Sequence, residues 1–537
     1  MAKENENFIR HTDGLPELSD DDLDDAVSII EEQGRRTFNN EREPGYLRPS
    51  DLSESGNALL FSDIYGSKLR WSKALGWMVW TGKQWLQDDA HAKRIAIDFT
   101  SYQIRDARSY ASSSTRKSQD GNISSDAKEY LKFANRMRSN SSIKAILELS
   151  SATLATPANT FDSDPFLLNT PDGIIDLRDG CIKPHDPLLF CSKITGSGLK
   201  KRTPYQEKLW NEFLDTITTD PECVQLSFQE PHINKDIQAY LQKTIGSTII
   251  GRVFHEGIQI AIGEGRNGKS TLYNAVSKAL GEYAGSLDIN TMTTDRTNKG
   301  AAKATLRGKR LVMCSELEEG QRLSTQTLKQ LASTDPLTIE AKYKDPEEIE
   351  PSHHIVMLSN FLPKIGSTDE GTWRRISIIP FKNKIPESDS KANYAQTLFE
   401  QAGAAILSWV IEGARMFIAD GCRLIPPEEI VNATNEYRLQ EDWLNDFLEN
   451  RCVIASDHTV RVGDLHIAYK DYCVAIGAYA RSRQEFNRAL ERRGFLMKTG
   501  HANKKYWIGL SIQYDSPDAD FKKMNEFEWT DAPELKI

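Results

Sequence analysis

Residues 257–272 read GIQIAIGEGRNGKSTL, an apolar alternation that runs into a glycine-rich loop and then into a helical repeat. Ile258, Ile260 and Ile262 alternate as a β-strand requires, while Leu272, Val276 and Leu280 recur at helical spacing. Between them, Gly263, Gly268, Lys269 and Ser270 fit G-x-x-x-x-G-K-[ST], the phosphate-binding P-loop. The chemistry needs these residue types in this order. Glycines let backbone N–H groups close around phosphate oxygens with no Cβ in the way. Lys269 is expected to reach the β- and γ-phosphates and Ser270 to ligate Mg²⁺, with the positive end of the following helix aimed at the anion. Gly265, Asn267 and Thr271 complete the expected ATP-contacting set. A chance glycine-rich turn would not come with both the strand and the helix. The stretch therefore predicts an α/β nucleotide-binding domain that takes ATP and Mg²⁺.

The rest of the chain bounds what surrounds that domain. At 537 residues it has room for three or four domains, and 39% hydrophobic with 27% charged residues is a soluble composition. No apolar run approaches the roughly 20 residues that span a bilayer, so no membrane partner is expected. The opening MAKENENFIRHTDG has no apolar core and is not a secretory signal. Seven cysteines (Cys181, Cys191, Cys223, Cys314, Cys422, Cys452, Cys473) occur without a C-x-x-C pair. That argues against a zinc ribbon or a disulfide framework and suits a reducing cytoplasm. The net charge of −10 does not advertise nucleic-acid binding, but much of the acid lies at the two ends, so local charge matters more.

Ahead of the glycine-rich loop, residues 1–55 read as an acidic, largely flexible segment with one short amphipathic helix over Ser19–Arg35, N-capped by Ser19. Residues 56–160 read as a tryptophan-rich β-meander, with a turn at Thr81-Gly82, followed by helices. Trp71, Trp77, Trp80 and Trp85 there suit an aromatic core better than base stacking. The stretch SYASSSTRKSQDGNISSD (109–126) reads as a polar loop or linker between helices. Residues 161–250 form a further unit: short strands and turns over Asp164–Pro187, where Asp172 and Asp176 read as turn and capping carboxylates, then helices from about Tyr205 to Ile249.

Beyond the loop, the apolar run Leu311–Cys314 leads to Ser315-Glu316. A carboxylate at the end of a buried strand beside a P-loop is where nucleoside triphosphatases hold Mg²⁺ and polarise the attacking water. Glu318 and Glu319 read as surface acids. The next apolar strand, His353–Asn360, ends in Asn360, which can orient water or the γ-phosphate; His353 and His354 at its start are structural. Arg374 and Arg375 precede another apolar strand; an arginine pair commonly serves as salt-bridge partners, and one or both also suit an arginine finger that neutralises charge developing in phosphoryl transfer.

The blocks GEGRNGKST, RLVMCSELEEGQRL, LKQLASTDPLTIEAKYKD, HIVMLSNFLP and TWRRISIIPF follow one another in this order and at close spacing. Together they resemble the phage, plasmid and poxvirus primase-helicase family, whose motor is a superfamily-3 helicase. GSKLRWSKALGWMVWTGKQW and LLNTPDGIIDLRDG are similar to that family's segment ahead of the motor, so the likeness spans roughly residues 60–510. It implies a P-loop, AAA+-like ATPase over 251–385 with an α+β N-terminal region. It also implies a homo-hexameric ring that tracks single-stranded DNA and unwinds forks, usually 3′ to 5′. Lys269 and Ser270 would form Walker A, Glu316 Walker B and Asn360 sensor 1, and the Arg374–Arg375 pair would reach a neighbouring subunit's nucleotide. Two departures stand out. The Walker B strand ends in Ser-Glu, so Glu316 combines both acidic roles or Glu318 assists. No paired-aspartate cluster or zinc module of a primase is evident in the first 150 or so residues, so a separate primase or initiator is an expected partner.

DNA contacts fall in two places. Leu337–Glu350 alternates and then turns at Asp345-Pro346; in this superfamily a β-hairpin here lines the pore, and Lys342, Tyr343 and Lys344 would be its tip. After a helical lid or linker over 386–435, residues 436–512 (VGDLHIAYKDYCVAIGAY, SRQEFNRALERRGF, then a basic hairpin) read as a winged helix. Arg483, Gln484, Asn487 and Arg488 would face a groove, with Lys504 and Lys505 on the wing, Phe486, Leu490 and Phe495 in the core, and 513–537 an acidic tail. The expected protein is an ATP-dependent DNA helicase of a phage or mobile element in a bacterial cytoplasm. The alternatives are an initiator or interference protein that uses ATP only to assemble, and a P-loop kinase or phosphotransferase.

Overall fold

A computed structural model of the protein describes residues 43–117, 122–220, 232–293, 299–314, 321–339, 346–365, 369–500 and 503–513. The expected helix at Ser19–Arg35 and the tail beyond Gln513 lie outside the described residues.

The N-terminal module begins with helix α1 (Glu54–Tyr65), N-capped by Ser53, and the antiparallel meander β1 (Leu69–Ser72), β2 (Gly76–Trp80) and β3 (Trp85–Gln87). Helices α2 (Asp89–Lys117) and α4 (Asn140–Thr153) pack against it, and α3 (Ser125–Arg136) packs on α2. The tryptophans build core. Trp77 and Trp85 are buried, Trp85 stacks on Phe190, and its indole N–H donates to the Pro187 carbonyl at 2.9 Å. The polar stretch expected as a linker is partly helix instead, because α2 continues through Lys117. Ala107 and Ala111 are buried, and Ser112 and Thr115 turn their hydroxyls back to the carbonyls of Arg108 and Ala111, which satisfies these side chains within the helix.

Strands β4 (Leu167–Thr170), β5 (Gly173–Asp176) and β6 (Ile182–Lys183) form a small antiparallel sheet, followed by helices α5 (Pro204–Ile217) and α6 (Lys235–Thr248). Asp172 accepts from the Lys200 amide at 2.8 Å, which ties the hairpin to a segment 28 positions away rather than closing its own turn. Asp176 accepts from Arg178 and Lys183, and the Arg178 hydrogen bond holds its carboxyl well below the usual range.

The central domain is a parallel sheet built from β7 (Ile258–Ile262), helix α7 (Lys269–Leu280), β8 (Ala284–Leu287), helix α8 (Lys299–Ala304), β9 (Leu311–Cys314), helix α9 (Thr325–Leu331), the hairpin β10 (Leu337–Ile339) and β11 (Glu347–Ile349), β12 (His354–Ser359), helix α10 (Glu370–Trp373) and β13 (Ile376–Pro380). The sheet order is β13-β7-β12-β9-β8. Its strands read as near-continuous apolar runs because both faces are covered. Ile258, Ile260, Val312, Cys314, Ile355, Met357, Ile376 and Ile378 face one core, while Ala261, Leu311, Val356, Leu358 and Ile379 face the other.

Helix α11 (Tyr394–Ala419) corrects two expectations. It is long and apolar enough to cross a bilayer by length and composition, with a mean hydropathy of 1.4, although no such run was expected. Residues 386–435, expected as a helical lid or linker, are largely helical, but Tyr394–Ala419 within them is a central core helix packed against α5, α6 and α7. Glycines make the close approach: a Cβ on Gly413 would lie 2.0 Å from the Gln242 carbonyl, and one on Gly246 2.2 Å from the Ala414 amide. Helix α12 (Glu428–Gln440) then covers the other core through Tyr437, whose hydroxyl donates to the Pro363 carbonyl.

The C-terminal module runs α13 (Trp443–Arg451), β14 (Cys452–Arg461), α14 (Val462–Ala475), α15 (Arg483–Arg492), β15 (Leu496–Thr499) and β16 (Lys505–Ile512). Its antiparallel sheet has the order β14-β16-β15. A capping box between Ser482 and Glu485 starts α15, and Phe486, Leu490 and Trp507 centre an independent core. Phe495, expected inside it, packs half-buried at its margin.

Candidate nucleotide-binding site

The glycine-rich loop joins the carboxyl end of β7 to the first turn of α7, at the edge of a parallel sheet where ligands characteristically sit. Its backbone demands glycine at specific points. Gly268 has φ +78°, and a Cβ there would lie 2.3 Å from Ile217 Cγ2. Gly265 has φ +96° and open space around it, and Arg266 between them is also left-handed, at φ 51°. The loop is fastened on both sides. The Asn267 amide side chain donates to the Phe381 carbonyl at 3.4 Å, and the Ile385 N–H donates to the Arg266 carbonyl at 2.7 Å. Gly268 sits at the N-terminus of α7, with no side chain capping it. The first turn of that helix thus presents its backbone amides where an anion would sit.

Lys269 is buried, and its ammonium donates to the Gly263 carbonyl at 3.0 Å and to Asn360 Oδ1 at 2.6 Å. The sheet register explains the meeting. Strand β12 runs parallel to β7 with Ser359 opposite Ile262, so Asn360 emerges level with the loop. Ser270 is exposed and Thr271 half-buried on the first turn of the helix. Glu316, Glu318 and Glu319 fall within 315–320, outside the described residues; the pairing of Met357 with Cys314 fixes only where β9 ends, beside β12. Among the described residues no cluster of three His, Cys, Asp or Glu has the arrangement of a metal site. The fit to a nucleotide therefore rests on the glycine cradle and the lysine: a loop that excludes Cβ atoms, a helix N-terminus and a buried cation suit a polyphosphate. Ser270 and Glu316 are the residues that would hold Mg²⁺.

Arg374 and Arg375 lie elsewhere. They precede β13, whose first residue, Ile376, pairs with Ile258 at the amino end of β7. Five strand residues separate that edge from the glycine-rich loop, roughly 15 Å at strand rise. Neither arginine reaches the loop of its own chain. Instead both pair with Glu256, Arg374 at 2.9 Å, and Arg375 also donates to the Gly371 carbonyl at 2.7 Å. Glu256 was not foreseen from the sequence, since an acid two residues ahead of a strand carries no local signal.

Beside Glu256 lies a group of imidazoles. The rings of His255 and His354 sit 5.0 Å apart, and His353, next to His354 in sequence, is also buried. Burial pushes His255 and His353 down to about 4, and pushes His354 well below its ordinary value. Their expected structural role agrees with this burial.

The expected DNA-contacting residues divide. Lys342, Tyr343 and Lys344 lie in 340–345, outside the described residues, although β10 and β11 pair antiparallel on either side of them, Leu337 opposite Ile349. Arg483 and Arg488 are exposed on α15, and Lys504 and Lys505 are exposed at the start of β16.

Comparison with known proteins follows this layout. The family described as D5 N terminal like matches residues 58–219, and a family of unknown function (DUF5906) matches residues 261–375. A protein of Acanthamoeba polyphaga mimivirus, named as an inferred helicase, is 26% identical over 325 residues, 56% of this chain and 31% of its own length. One of Frog virus 3, also named as an inferred helicase, is 23% identical over 393 residues, 61% of this chain and 40% of its own. One of African swine fever virus, named as an inferred primase, is 24% identical over 318 residues, 55% of this chain and 31% of its own. The chain thus spans well under half the length of these relatives.

Proposed function

Because this chain belongs to the phage and viral primase-helicase family, we propose that it is the ATP-driven DNA-unwinding motor of a phage or mobile-element replication system. The observation that carries the reading is the contact of Lys269 with Asn360 at the lip of the glycine-rich loop. It brings together, from the helix that follows β7 and from the end of the neighbouring β12, the cation of a P-loop and the polar side chain that orients water at the γ-phosphate. In this reading the loop amides and Lys269 bind the triphosphate, Ser270 and Glu316 hold Mg²⁺, and Glu316 polarises the attacking water.

The placement of the arginines supports a ring. At the opposite edge of the sheet, Arg374 and Arg375 serve hydrolysis only if a second copy presents them to this chain's phosphates. A homo-hexamer of superfamily-3 type supplies that geometry, with the tip between β10 and β11 (Lys342, Tyr343, Lys344) in the pore. The order helix, strand, helix, helix, strand, strand of the C-terminal module supports the winged-helix reading, in which Arg483, Arg488, Lys504 and Lys505 would be offered to duplex DNA. The partners in this reading are single-stranded and forked DNA, further copies of the chain and a separate primase or initiator, in a bacterial host's cytoplasm.

The test is unwinding of 3′- and 5′-tailed forks with ATP and with a non-hydrolysable analogue. The proposal requires strand displacement with ATP alone, on the 3′-tailed substrate. Displacement supported equally by the analogue would instead indicate a protein that uses ATP only to assemble.

A further inference from the structure

The two arginines are not equivalent. Arg375 has 10% of its side chain exposed, is bonded to the Gly371 carbonyl at 2.7 Å and is paired with Glu256. Arg374 is 61% exposed, and Glu256 Oε2 is its ion-pair partner, at 2.9 Å. The same carboxylate oxygen accepts from both guanidinium groups. Glu256 itself is about a quarter exposed and lies two residues ahead of β7, the strand whose other end carries the glycine-rich loop.

We propose that Glu256 is the positioning residue of the arginine finger: Arg375 anchors the Glu256 carboxylate from beneath, and that carboxylate holds Arg374 at the surface with its remaining donors turned outward. This rests on the proposed function, because it needs Arg374 to act on a nucleotide bound by a neighbouring copy. A guanidinium has five N–H donors, so one can stay on Glu256 while others meet phosphate oxygens. A long arginine free at the surface would have to be ordered during each catalytic event, and a carboxylate that already fixes it removes much of that entropy. The exposed pair contributes little to stability and so does not bind Arg374 irreversibly. The Arg375 pair is different in kind: with Arg375 largely enclosed, the partly buried Glu256 charge is the compensation that lets a guanidinium stay there.

The decisive comparison is Glu256→Gln against Arg374→Ala and Arg375→Met, read as kcat and KM for ATP hydrolysis and as trans-complementation with Lys269→Ala. Glu256→Gln should lower kcat about 10-fold or more with little change in KM, and Glu256→Asp should recover part of it. Mixed with Lys269→Ala, Glu256→Gln should regain activity as Arg374→Ala does, since both defects lie on the finger side of an interface. If Arg374→Ala lowers kcat and Glu256→Gln does not, the positioning role is wrong while the trans finger stands. If Arg374→Ala hydrolyses ATP at the parent rate, the underlying reading fails. Should Glu256→Gln not fold, the double change Glu256→Met with Arg375→Met removes the two paired charges together and leaves Arg374 unheld. A parent-like kcat in that folded double variant would overturn the proposal.

Discussion

Lys269 Nζ donates to Asn360 Oδ1 at 2.6 Å, joining the first residue of the helix after the glycine-rich loop to the residue after β12, 91 positions away. The bond gives a buried ammonium a polar partner that water would otherwise supply, and it sets two reactive side chains at one point on the sheet's carboxyl edge. A bound phosphate would compete for the same ammonium and release the Asn360 amide to orient water.

Lys269→Ala should abolish both tight nucleotide binding and turnover, whereas Asn360→Ala should keep binding and lose roughly 100-fold or more in kcat. Glu316→Gln should behave like Asn360→Ala. Fluorescent-nucleotide titration beside steady-state ATPase assays separates the two classes. Normal hydrolysis by Glu316→Gln with loss in Glu318→Gln would move the acidic role to Glu318.

Gly268→Ala should be more damaging than Gly265→Ala, although both glycines have positive φ. A methyl at Gly268 meets Ile217 at 2.3 Å as well as left-handed strain, while one at Gly265 meets open space. Strain alone costs about 1 kcal/mol or somewhat more, and the clash adds roughly a further 1–3 kcal/mol. Thermal melts should rank the variants in that order, and equal melting temperatures would contradict this loop geometry.

Stability should fall as the solution is acidified below about 6.5. His255 and His353 titrate near 4 in the folded protein, lowered by burial, and near 6.5 when unfolded. Between those values the unfolded chain holds more protons, so unfolding becomes more favourable as pH drops. At pH 5 the effect is on the order of 2 kcal/mol per histidine. Melting at pH 7 and pH 5 checks it: replacing His353 with leucine should flatten the dependence, and an unchanged slope would remove His353 from the account.

What the sequence made legible was whatever repeats locally. Strand–loop–helix chemistry located Gly263 to Ser270, the alternation of the three isoleucines matched β7, and the run Leu311–Cys314 matched β9 residue for residue. Long-range compensation was not legible. Glu256 is an ordinary acid until the fold delivers Arg374 and Arg375 to it from 118 and 119 positions away, and the helix Tyr394–Ala419 reads as part of a lid or linker until Gly246 and Gly413 let it close on α6. Serine-rich 109–117 looked like a loop because serine favours loops in isolation, yet burial of Ala107 and Ala111 decides for helix.

The last prediction separates the two basic elements. Lys342 and Lys344 sit between β10 and β11, the hairpin that lies in sequence between β9 and β12, so movement of the catalytic edge during hydrolysis would carry that tip. Changing both to alanine should leave DNA-free ATPase and assembly intact, because neither residue is needed to bind nucleotide. It should abolish DNA stimulation of hydrolysis and unwinding. Arg488, Lys504 and Lys505 are exposed on a module with its own core, so their joint replacement should not touch the motor. It should weaken duplex binding and reduce the slope of log affinity against log salt by about one for each phosphate that the protein no longer neutralises. A preloaded fork should still be unwound by that triple variant. The converse pattern, a hairpin variant that unwinds at the parent rate and a C-terminal variant that cannot, would place translocation outside the hairpin.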